Sequence, residues 1–380
     1  MSACVWMSGQ CFECRVERIE CTPGGWIVKT DERRYFRFDA DSIALLQSLM
    51  AQASLDAKDP AHSNIRALLW NRLLPLGIYR LRDDIARSPP KRSSSGLLRW
   101  QYELLSADLV WRLVSPLRSF FAPWPVGLVL IACLWIHADY VMRTAALVNY
   151  RALLDHSPAE LVLLVVFCIV RALLHELGHA AACLRLTGSV GPIGCGVFFI
   201  TPVLYCDVSD VHLLSRQGKA IVGMAGTAVD IAFLAVIVRV VGIEPTVVKI
   251  YWISLLALLL NLLPFYRNDG YWVLNDLAGR RELLQQSLSA CREGQAHFAD
   301  WALIGFTACC ILLMLALGVT FAVRFGPEQL AEVGLLIPSF RGWLLALITL
   351  LQYTALGFGG FALGRALVRF VGGGAKASWP

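Results

Sequence analysis

The sequence predicts a mainly α-helical, polytopic membrane protein with a small α+β domain at its N-terminus. Three observations lead there. Of the 380 residues, 57% are hydrophobic and only 16% charged, whereas soluble domains carry about 25% charged residues. Residues 1–118 hold many of those charges, and residues 119–372 are mostly apolar runs. Several runs reach the roughly 20 residues that a helix needs to cross the hydrocarbon layer. Collagen-like, disordered and small disulfide-rich classes are excluded by the same composition.

Residues 1–86 read as a winged-helix-like domain. Alternating stretches at Cys14–Cys21 and Gly25–Thr30 flank the turn signal Pro23-Gly24-Gly25, and Arg34–Phe38 makes a third strand. Asp39 or Asp41 caps a helix to about Met50, with Ile43, Leu45, Leu46 and Leu49 along one side. A second helix covers about Ser63–Leu74. Residues 87–123 hold a linker at Arg87–Ser95, with paired prolines and a serine run. A helix over Leu97–Phe121 comes next, and its Trp100, Trp111, Arg112 and Arg118 suit the membrane interface.

Residues 124–372 are expected to span the bilayer six times, at about 124–143, 160–182, 218–242, 246–264, 300–323 and 342–371, leaving a tail at 373–380. With the N-terminus cytoplasmic, the inner loops contain Arg185, Arg216, Lys219, Arg267, Arg280, Arg281 and Arg292, and Arg365, Arg369 and Lys376 lie at the inner C-terminal end. The outer loops hold chiefly Arg151, Arg324 and Arg341. That asymmetry places both termini in the cytoplasm. The net charge of +6 is therefore read as orientation, with no nucleic-acid partner. Met1–Gln10 lacks the basic and apolar regions of a signal peptide. No fixed-period repeat is visible. Most of the twelve cysteines, such as Cys133, Cys168, Cys309 and Cys310, sit in apolar runs and read as reduced fillers. Cys4, Cys11, Cys14 and Cys21 are either a four-thiolate zinc site or a cysteine-rich coincidence.

The strongest chemical signal lies in the second span, at His175-Glu176-Leu177-Gly178-His179. Histidines four apart share a helix face and can bind one metal, while the glutamate after the first can reach a metal-activated water. Ionisable groups in a spanning helix are expensive to bury without a purpose. An open catalytic zinc site needs a third protein ligand. Asp269, beyond the fourth span and followed by Gly270, which permits a sharp backbone turn, is the candidate; the alternative is that Asp269-Gly270 is a surface turn and Pro264 ends a helix. Asp207 and Asp210 are spare metal ligands, substrate contacts, or caps of backbone groups where a loop enters the next helix, and the caps are the preferred reading. Gly188–Tyr205 is too short to span and reads as a re-entrant hairpin whose edge takes an extended substrate. Arg171 reads as the partner of a buried acid, and His137 and Asp139 as lying near the outer end of the first span.

These residues resemble the site-2 protease family of intramembrane zinc metalloproteases. The family pattern, His-Glu-x-x-His in one core helix and Asn-x-x-Pro then Asp-Gly in another, is met by His175, Glu176, His179, Asn261, Pro264, Asp269 and Gly270. The resemblance covers about residues 160–276. It implies Zn2+ held by His175, His179 and Asp269, with Glu176 as general base and Asn261 lining the substrate cleft. The intervening helix usually carries Gly-Pro-x-x-Asn; here it reads Gly226-Thr227-Ala228-Val229-Asp230, so no catalytic role passes to Asp230. Pro202–Asp210 and the N-terminal Arg34–Asp39 resemble bacterial peptide zinc metalloproteases with a winged-helix peptide-binding domain. The resemblance implies a multi-pass protein of the bacterial cytoplasmic membrane. It would cut a membrane-associated or leader-bearing peptide, with a leader or adaptor bound at the N-terminal domain. The rival expectations are a non-proteolytic membrane component of a peptide maturation, export or immunity system, and a transporter using the same ionisable groups as a relay.

Overall fold

The computed structural model describes residues 4–320 apart from short stretches, of which 82–97 and 149–156 are the longest. The linker at Arg87–Ser95, Pro264, the span expected at 342–371 and the tail lie outside the described residues. Contacts group the chain into two units. One comprises Met1–His137 with Val170–Ala235, and the other Ala138–Ile169 with the chain from Val236 onward.

In the first unit, β1 (Cys4–Met7) and β2 (Gln10–Cys14) pair antiparallel, and β3 (Val16–Thr22), β4 (Gly25–Thr30) and β5 (Tyr35–Phe38) form an antiparallel meander. The helix α1 (Ala40–Ala51) starts at Asp39, whose side chain accepts the Ser42 N–H at 2.7 Å. This is the N-cap that Asp supplies best. Then come β6 (Ser54–Leu55), α2 (Ser63–Leu68) widening into a π turn at Leu69–Leu73, and β7 (Tyr79–Leu81). Strand order in the first sheet is β6-β1-β2-β7. Val5, Phe12, Val28, Leu46, Leu49, Leu69, Leu73 and Tyr79 form its core, fully removed from water. The three expected strands and both helices are present, but β1, β2, β6 and β7 are additional. They are two to five residues long, β1 is apolar at every position (Cys4-Val5-Trp6-Met7), and β2 buries Cys11 and Phe12 in succession, so the sequence gives no alternation to read there.

The stretch expected to form one interfacial helix, Leu97–Phe121, divides in two. Leu98–Leu105 is a strand, β8, and Ala107–Val114 is the helix α3. Large residues at Trp100, Tyr102 and Leu104 recur every second position, the strand period. Ser106 then stops the strand and caps α3, its Oγ accepting the Leu109 N–H at 3.4 Å. In α3, Val110 and Val114 pack with Ala180, Ala181, Leu184, Val190 and Ile193.

The long helices come next: α4 (Pro123–Thr144) and α5 (Pro158–Thr187). Ser157 and Glu160 open α5 reciprocally, each accepting the other's backbone N–H, at 3.2 and 2.7 Å respectively. Beyond them, β9 (Ile193–Phe198) and β10 (Thr201–Cys206) make an antiparallel hairpin that joins β8 in the order β10-β9-β8, which gives the strand pairing of the expected hairpin. Then come α6 (Arg216–Val241), α7 (Pro245–Asn261), α8 (Asp269–Ala278), α9 (Leu283–Arg292) and α10 (Phe298–Leu313). Among the described residues, three helices, at Pro125–Leu147, Pro158–Thr187 and Arg216–Val241, are long and apolar enough to cross a membrane; Pro245–Asn261 and Phe298–Leu313 are apolar but shorter.

A polar cluster fastens the N-terminal strands to the segment after α5. Asp210, 1% exposed, accepts from Lys29 Nζ at 2.8 Å and Tyr35 Oη at 2.6 Å, and from Ser189 Oγ. Lys29 is itself only 6% exposed and also meets Glu17 at 3.3 Å. Asp210 is therefore the anionic centre of a buried polar cluster. Asp207, by contrast, does cap: its Oδ1 accepts the Ser209 N–H at 3.1 Å.

Candidate metal centre

Residues 171, 175 and 179 form an i, i+4, i+8 stripe on α5, and residues 222, 226 and 230 form the same stripe on α6. The stripes run antiparallel. The His179 Nδ1–H donates to the Val222 carbonyl at 2.7 Å, and the His175 Nδ1–H to Asp230 Oδ2 at 3.1 Å. Between these contacts lies Gly226, where a Cβ would fall 2.4 Å from His179 Nε2 and 2.6 Å from His175 Nε2. The opposing Gly178 on α5 is equally close to α6, since its Cβ would lie 2.8 Å from the Ala225 carbonyl oxygen. Glycine at both places is what lets the helices approach until imidazole reaches backbone.

These contacts settle the tautomers. A carbonyl and a carboxylate only accept, so each Nδ1 carries the proton and each Nε2 presents a lone pair. The two Nε2 atoms are 3.1 Å apart. Two lone pairs at that distance repel unless a cation lies between them. A zinc ion suits that spacing, because nitrogens at 2.0–2.1 Å in a tetrahedral arrangement are about 3.3 Å apart. The histidine pair thus suits a metal on its own geometry. Glu176, half-buried, follows His175 on the same helix.

In the second unit, Asn261 ends α7 and Asp269 opens α8. Asn261 Nδ2 donates to Asp269 Oδ2 at 2.8 Å, and Asn268 Nδ2 to the Leu260 carbonyl at 3.3 Å. A carboxylate in the first turn of a helix is also favoured by the exposed N–H groups there. The glycine after Asp269 serves close approach rather than a sharp turn. A Cβ on Gly270 would meet the Leu262 carbonyl oxygen at 2.1 Å, so only glycine lets α8 return against the end of α7.

The structure thus brings His175 and His179 together in one unit, and Asn261 and Asp269 in the other. Asp230 is the residue that sequence reasoning misses. It is 1% exposed and also accepts from Arg171 Nε at 3.2 Å, so it is the buried acid that Arg171 is expected to meet. The signal is present in the chain, since Asp230 is an acid in the middle of an apolar run. Among the other candidates, His137 Nε2 bonds the Ile231 carbonyl at 2.9 Å and Asp139 pairs with Arg143 at 2.9 Å. The early cysteines do not converge. Cys4 faces Glu13 and Cys11 faces Trp6 across the β1–β2 pair, Cys21 is exposed on the other sheet, and burial pushes the Cys14 thiol up.

No model of a known protein family and no solved structure gives a significant match. Among curated proteins, the chain is similar to one from Bacillus subtilis (strain 168) named "Putative peptide zinc metalloprotease protein YydH", at 26% identity over 117 residues. The match covers 30% of this chain and 46% of that protein, so it spans less than half of the relative's length. The likeness is a weak pointer to a zinc metalloprotease.

Proposed function

We propose that this chain is an intramembrane zinc metalloprotease of the site-2 type, hydrolysing a peptide bond in a membrane-associated or leader-bearing peptide. The observation that carries the reading is the pair of Nε2 lone pairs facing each other at 3.1 Å, with both Nδ1–H groups already committed. In this reading Asp269 is the third ligand, held in place by Asn261. Two imidazoles and one carboxylate make a donor set that can hold an ion and leave a position open.

When bound, zinc supplies Lewis acidity, polarising the scissile carbonyl and lowering the pKa of a water to about 7. The chain's own groups do the rest. Glu176 takes a proton from the attacking water as the new carbon–oxygen bond forms. It then returns a proton to the leaving nitrogen as the carbon–nitrogen bond breaks. Val222 and Asp230 keep both imidazoles in the tautomer that offers Nε2. A helical substrate must unwind first, because its carbonyls are engaged in helical hydrogen bonds.

The same reading assigns a multi-pass topology in the bacterial cytoplasmic membrane, with six spans and both termini inside. The N-terminal domain then presents a sheet edge to a leader peptide or adaptor. The deciding experiment measures metal content together with cleavage of a candidate precursor peptide, for wild type and Glu176→Gln in detergent or vesicles. About one zinc in each, with cleavage by wild type alone, is expected. Turnover by Glu176→Gln refutes the base, and folded wild type purified without chelator yet lacking zinc refutes the whole reading.

A further inference from the structure

The Arg171–Asp230 pair takes no part in the bond making and breaking of peptide hydrolysis, yet it sits directly behind a proposed ligand. Asp230 divides its oxygens: Oδ1 takes the Arg171 Nε–H at 3.2 Å and Oδ2 the His175 Nδ1–H at 3.1 Å. An acid present only to neutralise the arginine could give both oxygens to the guanidinium, the bidentate arrangement that Arg favours. Here one oxygen is committed to the imidazole. The α6 stripe therefore contacts both ends of the His175 ring, Asp230 at Nδ1 and Gly226 beside Nε2.

The two histidines are held by unlike devices. His179 Nδ1 meets the Val222 backbone carbonyl, which no side-chain substitution removes, whereas His175 Nδ1 meets a side chain, Asp230. That side chain is 1% exposed and meets the Arg171 guanidinium through its other oxygen, at 3.2 Å. We infer that Asp230 is a positioning residue which fixes the His175 imidazole for metal binding, and that Arg171 holds the Asp230 carboxylate in that orientation. This rests on the zinc reading proposed for the site. It adds a three-residue relay, Arg171 to Asp230 to His175, in which only the last member touches metal.

The test must separate orientation from mere cementing of two helices. Replacing a buried ion pair with apolar residues of similar volume often leaves stability unchanged. The double variant Arg171→Met/Asp230→Leu should therefore fold, with Arg171→Met/Asp230→Ala as the smaller alternative if it does not. Full-length protein in detergent is titrated with zinc against a competing chelator, and the visible spectrum of the cobalt-loaded protein is recorded. The expected result is a metal-free melting temperature close to wild type, zinc affinity weaker by about 10–100-fold, and an altered cobalt spectrum. A folded double variant with zinc affinity within about threefold of wild type and an unchanged cobalt spectrum overturns the inference and leaves the zinc reading intact. Failure of wild type to bind zinc overturns both.

Discussion

Gly226 offers the most direct test of the metal centre, because it is a residue that does nothing except leave room. In Gly226→Ala the new methyl would stand 2.4 Å from His179 Nε2 and 2.6 Å from His175 Nε2, against an ordinary contact of at least 3.4 Å. Each nitrogen must therefore retreat by roughly 0.8–1.0 Å, or α6 must move away. Neither ring swings freely, because Asp230 and the Val222 carbonyl hold the opposite nitrogens. Ligand positions tolerate only about 0.2 Å of error. At least one imidazole is thus lost to the ion, and zinc affinity should fall about 100-fold or more, equivalent to about 2.7 kcal/mol. Chelator competition on detergent-solubilised protein measures this, with thermal melting of the metal-free form as the control for folding. Gly178→Ala gives the contrast. Its methyl would strike the Ala225 backbone and Val229 Cγ2, both at 2.8 Å, so its main effect should be a lower melting temperature. A folded Gly226→Ala protein that binds zinc within about threefold of wild type would refute the reasoning.

Other outcomes rest on the same geometry. Asn261→Ala removes the 2.8 Å bond to Asp269 and should weaken zinc binding by about 1.5–3 kcal/mol, the worth of a hydrogen bond to a charged group; an unchanged zinc titration would count against Asp269 as ligand. Asp210→Asn leaves Lys29 buried without its full countercharge and should cost about 3–5 kcal/mol, read as a drop in melting temperature that Lys29→Met/Asp210→Asn largely restores. In maleimide labelling of native protein, Cys21 should react promptly and Cys14 only after unfolding, since Cys21 is exposed and Cys14 buried with its thiol pushed up. Bonding to the Ser42 backbone N–H holds the Asp39 carboxyl below its usual range. Its stabilisation of α1 is therefore present above the unfolded-state pKa near 4 and lost as pH falls through the lower folded value. The melting curves of wild type and Asp39→Ala should converge on acidification, and a gap that persists at pH 2 would refute the cap.

The legible parts of the sequence are those with strong local signals. Asp39 before an apolar stripe is a helix start whose chemistry lies within four residues. The His175–His179 face is equally local, because helical periodicity alone places both rings on one side. The short strands β1, β2, β6 and β7 are hidden, since they exist by pairing with partners elsewhere in the chain. Trp100, Tyr102 and Leu104 carry the strand period, but the arginines and tryptophans around them give an equally good amphipathic reading. At the site itself, Asp230 and Gly226 matter only through what α5 brings against them. No spacing rule connects residue 175 to residue 230. Gly270 is legible as necessary, but for a turn, whereas the structure uses it for a close approach to Leu262.

The salt link between Lys29 and Asp210 bears on how such a protein can be taken apart and recombined. A domain joined by a flexible tether can be cut at the linker and grafted elsewhere with its fold intact. Here the boundary is also a shared charge, with the cation on β4 and the anion in the short turn that follows β10. Transplanting the N-terminal domain alone would strand a buried lysine in the graft and a buried aspartate in the donor. Any chimera therefore has to carry position 210 along with the first eighty residues, so that the portable unit is discontinuous in the chain.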